Sequence, residues 1–274
     1  MTDRQTERAG VPPRELPDWL MARGRHWATT ADVAALLDIP SNEVPPIAAR
    51  WRASHRAFSP TPGTFVPIPS EFRSWAAVPA SHFVDKLMRH FGHPYYVGYL
   101  SAAEVHGAAH QRPQVFQVVT DARLRARSFG RVRIAFVTSA STAARPTVTV
   151  NTPAGTMVVA TPEVTVLDLV GRPEYGGGLS NVATVIAELL QDDKLDQVEL
   201  ARVATGYPTS VAQRTGWMVE TAAAEIGADV NLDGLSELAQ KRSEPTPLLA
   251  SGARRGSVDE RWHVVVNTDV EPDL

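Results

Sequence analysis

Three observations predict a mixed α/β (α+β) chain in two parts. Apolar residues recur at helical spacing from Arg14 to Ala53, and an extended ribbon follows to Pro69. Between Val115 and Ala160 the period switches to two, the signature of strands. From about residue 180 to about residue 240 it returns to helical spacing. At 274 residues the chain exceeds one average domain, and with 43% apolar residues it can bury sizeable cores.

In order, the polar stretch 1–13 is expected to be disordered. Arg14 to Arg25 reads as a first helix carrying Leu16, Trp19 and Leu20. Thr29-Thr30-Ala31-Asp32 matches a capping box, and Val33, Leu36 and Leu37 follow at helical spacing. Asp38-Ile39-Pro40-Ser41 breaks that helix, because Pro40 lacks an N–H, and Ser41 can cap the next. In the next helix Val44, Ile47, Ala48 and Trp51 make one apolar face. Pro45 and Pro46 fit because they fall in its first turn. Its other face carries Asn42, Pro46, Ala49, Arg50 and Ala53, with Arg52 at the edge. Two short extended runs then flank the turn Pro60-Thr61-Pro62-Gly63. Helix, turn, helix and ribbon in this order predict a winged helix-turn-helix over 14–79.

This segment is shaped for DNA. A slim helix face enters a major groove, and Asn and Arg match adenine and guanine edges. Between Val44 and Ser70 there are three arginines, His55 and no acid, a field that favours phosphate. Ser41, Asn42, Arg50, Arg52, His55 and Arg56 are the expected contacts. A helical subdomain that binds nothing is the plain alternative.

Residues 80–274 read as a second, α/β domain, helical from about 180 and irregular from about 241. Ser81 can cap a helix ending near Gly92. Ser101-Ala102-Ala103-Glu104 reads as a capping box for a helix stopping near His110. Arg123 to Arg127 and Arg131 to Val137 alternate strictly about Ser128-Phe129-Gly130, which fits a three-residue hairpin loop. In that register Arg123, Arg125, Arg127, Arg131 and Arg133 share one face. They could grip phosphates, or form an ordinary solvated face. Thr161-Pro162-Glu163 opens a helix with cap, proline and acid in the favoured places.

Charge and composition narrow the function. The net charge of −3 hides balances of +1 over residues 1–80, +4 over 81–180 and −8 over 181–274. There is no cysteine, so disulfides and thiol chemistry are excluded. No run approaches the roughly 20 apolar residues of a membrane span. The polar N-terminus lacks a signal-peptide core, so the cytoplasm is expected. His106 and His110 have the spacing of two metal ligands on one helix, with no third ligand assigned. Helix-terminal packing and hydrogen bonding is the preferred reading. Gly176-Gly177-Gly178 lacks both the Walker lysine and GxGxxG spacing, and reads as a flexible linker. No acid, base and nucleophile assemble at interpretable spacing. No catalytic residue, cofactor or metal is therefore assigned.

Tyr95-Tyr96-Val97-Gly98-Tyr99-Leu100-Ser101-Ala102-Ala103-Glu104-Val105-His106-Gly107-Ala108-Ala109-His110-Gln111 resembles the signature of the AbiEi abortive-infection antitoxins. Ala160 to Val170 resembles that family's later helix. The resemblance covers roughly residues 14–240. It implies a bacterial, cytoplasmic antitoxin, not an enzyme, that neutralises a nucleotidyltransferase-type toxin, directly or functionally. It also implies repression of its own promoter through inverted repeats in double-stranded DNA. By the same resemblance His106 and His110 support the fold, Asn42, Arg50 and Arg52 contact bases or groove, and Arg56 contacts phosphate. Two alternatives stay open: a metal-dependent nuclease using His106 and His110, and a toxin-binding module without DNA binding.

Overall fold

Local start signals and apolar spacing set the first helices. The structure, a computed structural model, describes residues 10–109 and 113–273. After a 3-10 turn at Pro13–Glu15 come α1 (Leu16–Ala22), β1 (Ala28–Thr29), α2 (Thr30–Leu37), α3 (Val44–Ala53), β2 (Ala57–Phe58) and β3 (Thr64–Pro67). The capping box forms as read: Thr29 Oγ1 accepts the Asp32 N–H, and the Asp32 carboxylate accepts the Thr29 N–H. Ser41 caps nothing. It opens a separate 3-10 turn, Ser41–Glu43, and α3 starts without a side-chain cap. The three short strands form an antiparallel sheet in the order β1-β3-β2.

These helices and strands close one core of Leu16, Trp19, Leu20, Val33, Leu36, Val44, Ala48, Trp51 and Phe65. Burying each large side chain contributes roughly 1.5–3 kcal/mol. Trp51 also donates its indole N–H to the Pro13 carbonyl at 2.9 Å and meets Phe65 edge-on. That fixes the inner side of α3 and leaves the other side free.

The chain continues through α4 (Val84–Phe91), β4 (Tyr95–Val97), α5 (Tyr99–Val105), β5 (Phe116–Thr120), β6 (Arg127–Phe129), β7 (Val132–Thr138), β8 (Thr147–Thr152), β9 (Gly155–Ala160) and α6 (Pro162–Gly171). Helices α7 (Leu179–Gln191), α8 (Gln197–Ala204), α9 (Thr209–Ile226) and α10 (Asp233–Ala239) follow. The chain ends with β10 (Thr246–Pro247), β11 (Ser257–Asp259) and β12 (Val264–Val266). Strands β4 to β9 form a sheet in the order β6-β7-β5-β4-β9-β8, with β4 and β9 parallel at Val97 and Val159. The fold is thus mixed α/β with several sheets.

Several expectations change. Ser101 lies inside α5 rather than at its cap, because Gly98 holds that place. Its hydroxyl instead accepts the Gln117 N–H at 2.9 Å. Residues 123–126 form no strand. The glycines at 176–178 form a tight turn, not a linker. A Cβ at Gly176 would stand 2.6 Å from Val182, and Asn181 donates to the Gly176 carbonyl at 2.7 Å. The irregular tail contains a small sheet in the order β10-β12-β11. His110 and residues 1–9 lie outside the described residues, so the His106/His110 pair and most of the expected disordered stretch do too.

The described chain divides into two compact units. One holds residues up to Tyr95 with Thr120–Thr138 and Thr149–Val158; the other holds Tyr96–Val119, Ser139–Val148 and Val159 onward. The chain thus returns to the first unit twice.

Candidate nucleic-acid interface

In the first unit, the exposed side of α3 is the one the spacing selected. Pro46, Ala49, Arg50, Arg52 and Ala53 are all exposed, while Val44, Ala48 and Trp51 are buried; Asn42 is exposed too, but it lies ahead of the helix in the Ser41–Glu43 turn. Ser41 is exposed in the turn before the helix. Beside α3 runs a groove of about 430 Å³. Thr30, Pro45 and Arg52 line it on the helical side, with Pro60 and Thr61 on the β2–β3 turn and Arg127 opposite.

The turn is anchored at both ends. Gly63, at φ +76°, offers its carbonyl to the Thr30 N–H at 2.9 Å. Arg127 Nη1 donates to the Pro60 carbonyl at 2.7 Å. Within the turn the Thr61 carbonyl accepts both the Thr64 N–H and the Thr64 hydroxyl.

Two of the expected contacts have partners within the protein. Arg56 is half-buried and paired with Asp18 of α1, which also takes Arg73 at 3.3 Å. His55 is exposed, with Nδ1 3.1 Å from the Arg73 carbonyl.

The five arginines of the hairpin do not share a face. The pairs are Arg127 with Ile134, Ser128 with Arg133, and Phe129 with Val132. Directly opposed residues project to the same side, so Arg127 lies with Phe129, Val132 and Ile134, and Arg133 lies on the other side. The turn is Gly130-Arg131, two residues rather than three, which shifts the register. A backbone neighbour fixes it. The Arg131 N–H bonds to the Trp75 carbonyl at 3.1 Å, and a Cβ on Gly130 would fall 1.8 Å from that oxygen. Only glycine fits there. Arg123, Arg125, Arg131 and Arg133 are exposed, and Arg127 is half-buried.

The second unit holds a centre that sequence reasoning missed. Tyr96 and Tyr207 each donate a hydroxyl to Asp168, at 2.8 Å to opposite carboxylate oxygens. The Arg145 guanidinium lies 3.4 Å from the Tyr207 ring centroid and bonds to the Gly206 carbonyl. Burial raises the Asp168 carboxyl above its ordinary value, against the two hydroxyl donors and the nearby Arg145 and Arg172 charges. Burial likewise raises both phenols, with the Asp168 charge adding to it. One signal was available: Asp168 stands among buried apolar neighbours on α6.

His106 is also committed to the fold. Its Nε2 lies 2.7 Å from the Ala160 carbonyl, and Lys194 donates to its own carbonyl at 2.8 Å. Burial lowers its pKa. Among the described residues no group of three or more His, Asp or Glu side chains is placed to hold a metal ion. Nor is any helix among them long and apolar enough to cross a membrane.

All four groups of this half-buried centre fall inside one family match. Residues 96–221 match the AbiEi antitoxin C-terminal domain. The resemblance read from the Tyr95–Gln111 and Ala160–Val170 runs is thereby shown, over somewhat less than half the chain. The AbiEi antitoxin domain implies a toxin partner. Its fold context extends further. A crystal structure of RV2827C protein from Mycobacterium tuberculosis superposes with a TM-score of 0.64 at 15% identity, covering 93% of this chain and 91% of that one. At that identity the likeness concerns the fold alone. No curated protein matches the sequence.

Proposed function

We propose that this protein is an antitoxin that also binds DNA, neutralising a nucleotidyltransferase-type toxin and repressing its own promoter. The observation that carries the DNA reading is the exposed, acid-free side of α3 with the groove and β2–β3 turn beside it. On this reading residues 14–79 are a winged helix-turn-helix, α3 is the recognition helix and the β2–β3 turn is the wing. Asn42, Arg50 and Arg52 reach base edges or groove walls, and Ser41 and His55 lie at the margin. Arg123, Arg125, Arg131 and Arg133 are exposed cations for further phosphates.

α3 is short of polar side chains, so affinity rests largely on phosphate contacts and on two copies meeting an inverted repeat. No catalytic step, cofactor or metal enters this function, and the site of action is the cytoplasm. Neutralisation of the toxin proceeds either by contact or through a shared target.

The test is a mobility shift with the DNA directly upstream of its own gene, at two salt concentrations. Retardation that weakens steeply with salt and survives non-specific competitor is the expected result. No shift at micromolar protein would leave only the antitoxin role.

A further inference from the structure

The hairpin register turns one arginine inward, onto the turn beside α3. We propose that Arg127 is a positioning residue for DNA binding: it holds the β2–β3 turn at its place beside α3 and does not itself touch DNA. This rests on the DNA-binding reading above.

Four observations converge on it. Arg127 shares the inner face of the hairpin with Phe129, Val132 and Ile134. Phe129 packs on Phe58 of β2 and on Phe83, with ring centroids 5.3 and 5.8 Å apart. The Arg127 guanidinium lies 5.0 Å from the Phe91 ring centroid, with its Nε buried and unpartnered. Its one strong bond goes to the Pro60 carbonyl, the first backbone group of the turn.

A cation meant for phosphate is kept exposed, because desolvating it costs energy that solvent contact avoids. Here the cost is offset by a charged hydrogen bond to backbone and by an aromatic face. The hairpin is itself immobilised, since its tip is bound to the Trp75 carbonyl. Arg127 therefore transmits a fixed position to Pro60, while Thr30 fixes the far end at Gly63.

The experiment compares Arg127→Met, Arg127→Lys and Arg52→Ala in the full chain. Promoter affinity is measured over a salt series, and amide exchange is followed at Thr61 and Thr64. Arg127→Met keeps the apolar stem, so the hairpin core stays filled. It is expected to bind about tenfold more weakly, with the slope of log affinity against log salt unchanged. Exchange at Thr61 and Thr64 should quicken while exchange within α3 stays as it was. Arg127→Lys, which retains one donor, should recover part of both losses. Arg52→Ala should lower the salt slope by about one and leave the turn amides alone.

A slope reduced by about one in Arg127→Met would overturn the proposal, since the guanidinium would then be a phosphate contact. Unchanged turn exchange would overturn it as well, whatever the affinity. Quicker turn exchange in a protein whose wild type ignores DNA would uphold the anchoring and remove the DNA reading instead.

Discussion

Arginine stands in two kinds of place in this molecule. Arg50 and Arg52 on α3 point to solvent. Arg145, on the chain between β7 and β8, lies against a tyrosine that donates to a buried-in carboxylate. The first pair was placed by helical spacing: once Val44, Ala48 and Trp51 are inside, residue 50 must be out and residue 52 falls at the edge of the buried face. The second was placed by partners far along the chain. The comparison teaches that exposed charge is decided locally and inward charge is decided by long-range convergence. It also predicts that the two kinds differ sharply in what their removal does to stability.

The largest effect is expected at the convergent centre. Asp168→Ala leaves the Tyr96 and Tyr207 hydroxyls without their acceptor, a loss of about 2–3 kcal/mol, read as a lower urea midpoint. Asp168→Asn should lose less, because its carbonyl still accepts one hydroxyl. Folding raises the Asp168 pKa. Its contribution is therefore complete below the ordinary carboxylate value of about 4 and is lost as pH rises through the raised value. The Asn variant should lack that decline. A midpoint unchanged in Asp168→Ala would mean that the centre is solvated and that the comparison fails.

The same difference explains what could be read from the residues alone. Thr29 and Asp32, or Thr161 and Pro162, settle their helix starts within three residues, so both appeared where read. The apolar face of α3 and the four rear helices were equally local. Tyr96 and Tyr207 lie 72 and 39 residues from Asp168, and nothing in their neighbours announces the meeting. The hairpin failed for a related reason. Alternation over 123–127 and 131–137 was read with a three-residue loop, whereas the Trp75 carbonyl, more than fifty residues before the turn, holds Gly130 and Arg131 in a two-residue one. Ser101 was misread because its hydroxyl serves Gln117 on β5 instead of its own helix. The exposed residues of α3 are of the legible kind, and the Asp168 centre is not.

A middle-sized effect tests a convergent contact by pH. Burial lowers the His106 pKa, so the stability this residue contributes is present above about 6.5 and lost as pH falls through the lowered value. Between pH 7.5 and 5 the wild type should lose stability through this residue. His106→Gln keeps a donor for the Ala160 carbonyl and cannot titrate. Subtracting the two pH profiles isolates the residue from Asp168, whose sign is opposite. A flat difference between the profiles would show that His106 stays neutral, or equally hydrated, in both states.

The smallest expected stability effect sharpens the comparison most. Arg50→Ala with Arg52→Ala removes two exposed side chains from the last turn of α3, and alanine is at least as good a helix former. The unfolding free energy should change by no more than about 0.5 kcal/mol at moderate salt. The one opposing term is the favourable meeting of cations with the helix C-terminus, about 0.3–1 kcal/mol per charge at low ionic strength and screened away by salt. If these side chains were kept for the fold, their loss would register as it does at Asp168. If they are kept for a partner, stability should hold while the affinity for promoter DNA and its salt dependence both drop. A double variant that melts several degrees lower would place Arg50 and Arg52 among the structural arginines and withdraw α3 from the DNA-contacting surface.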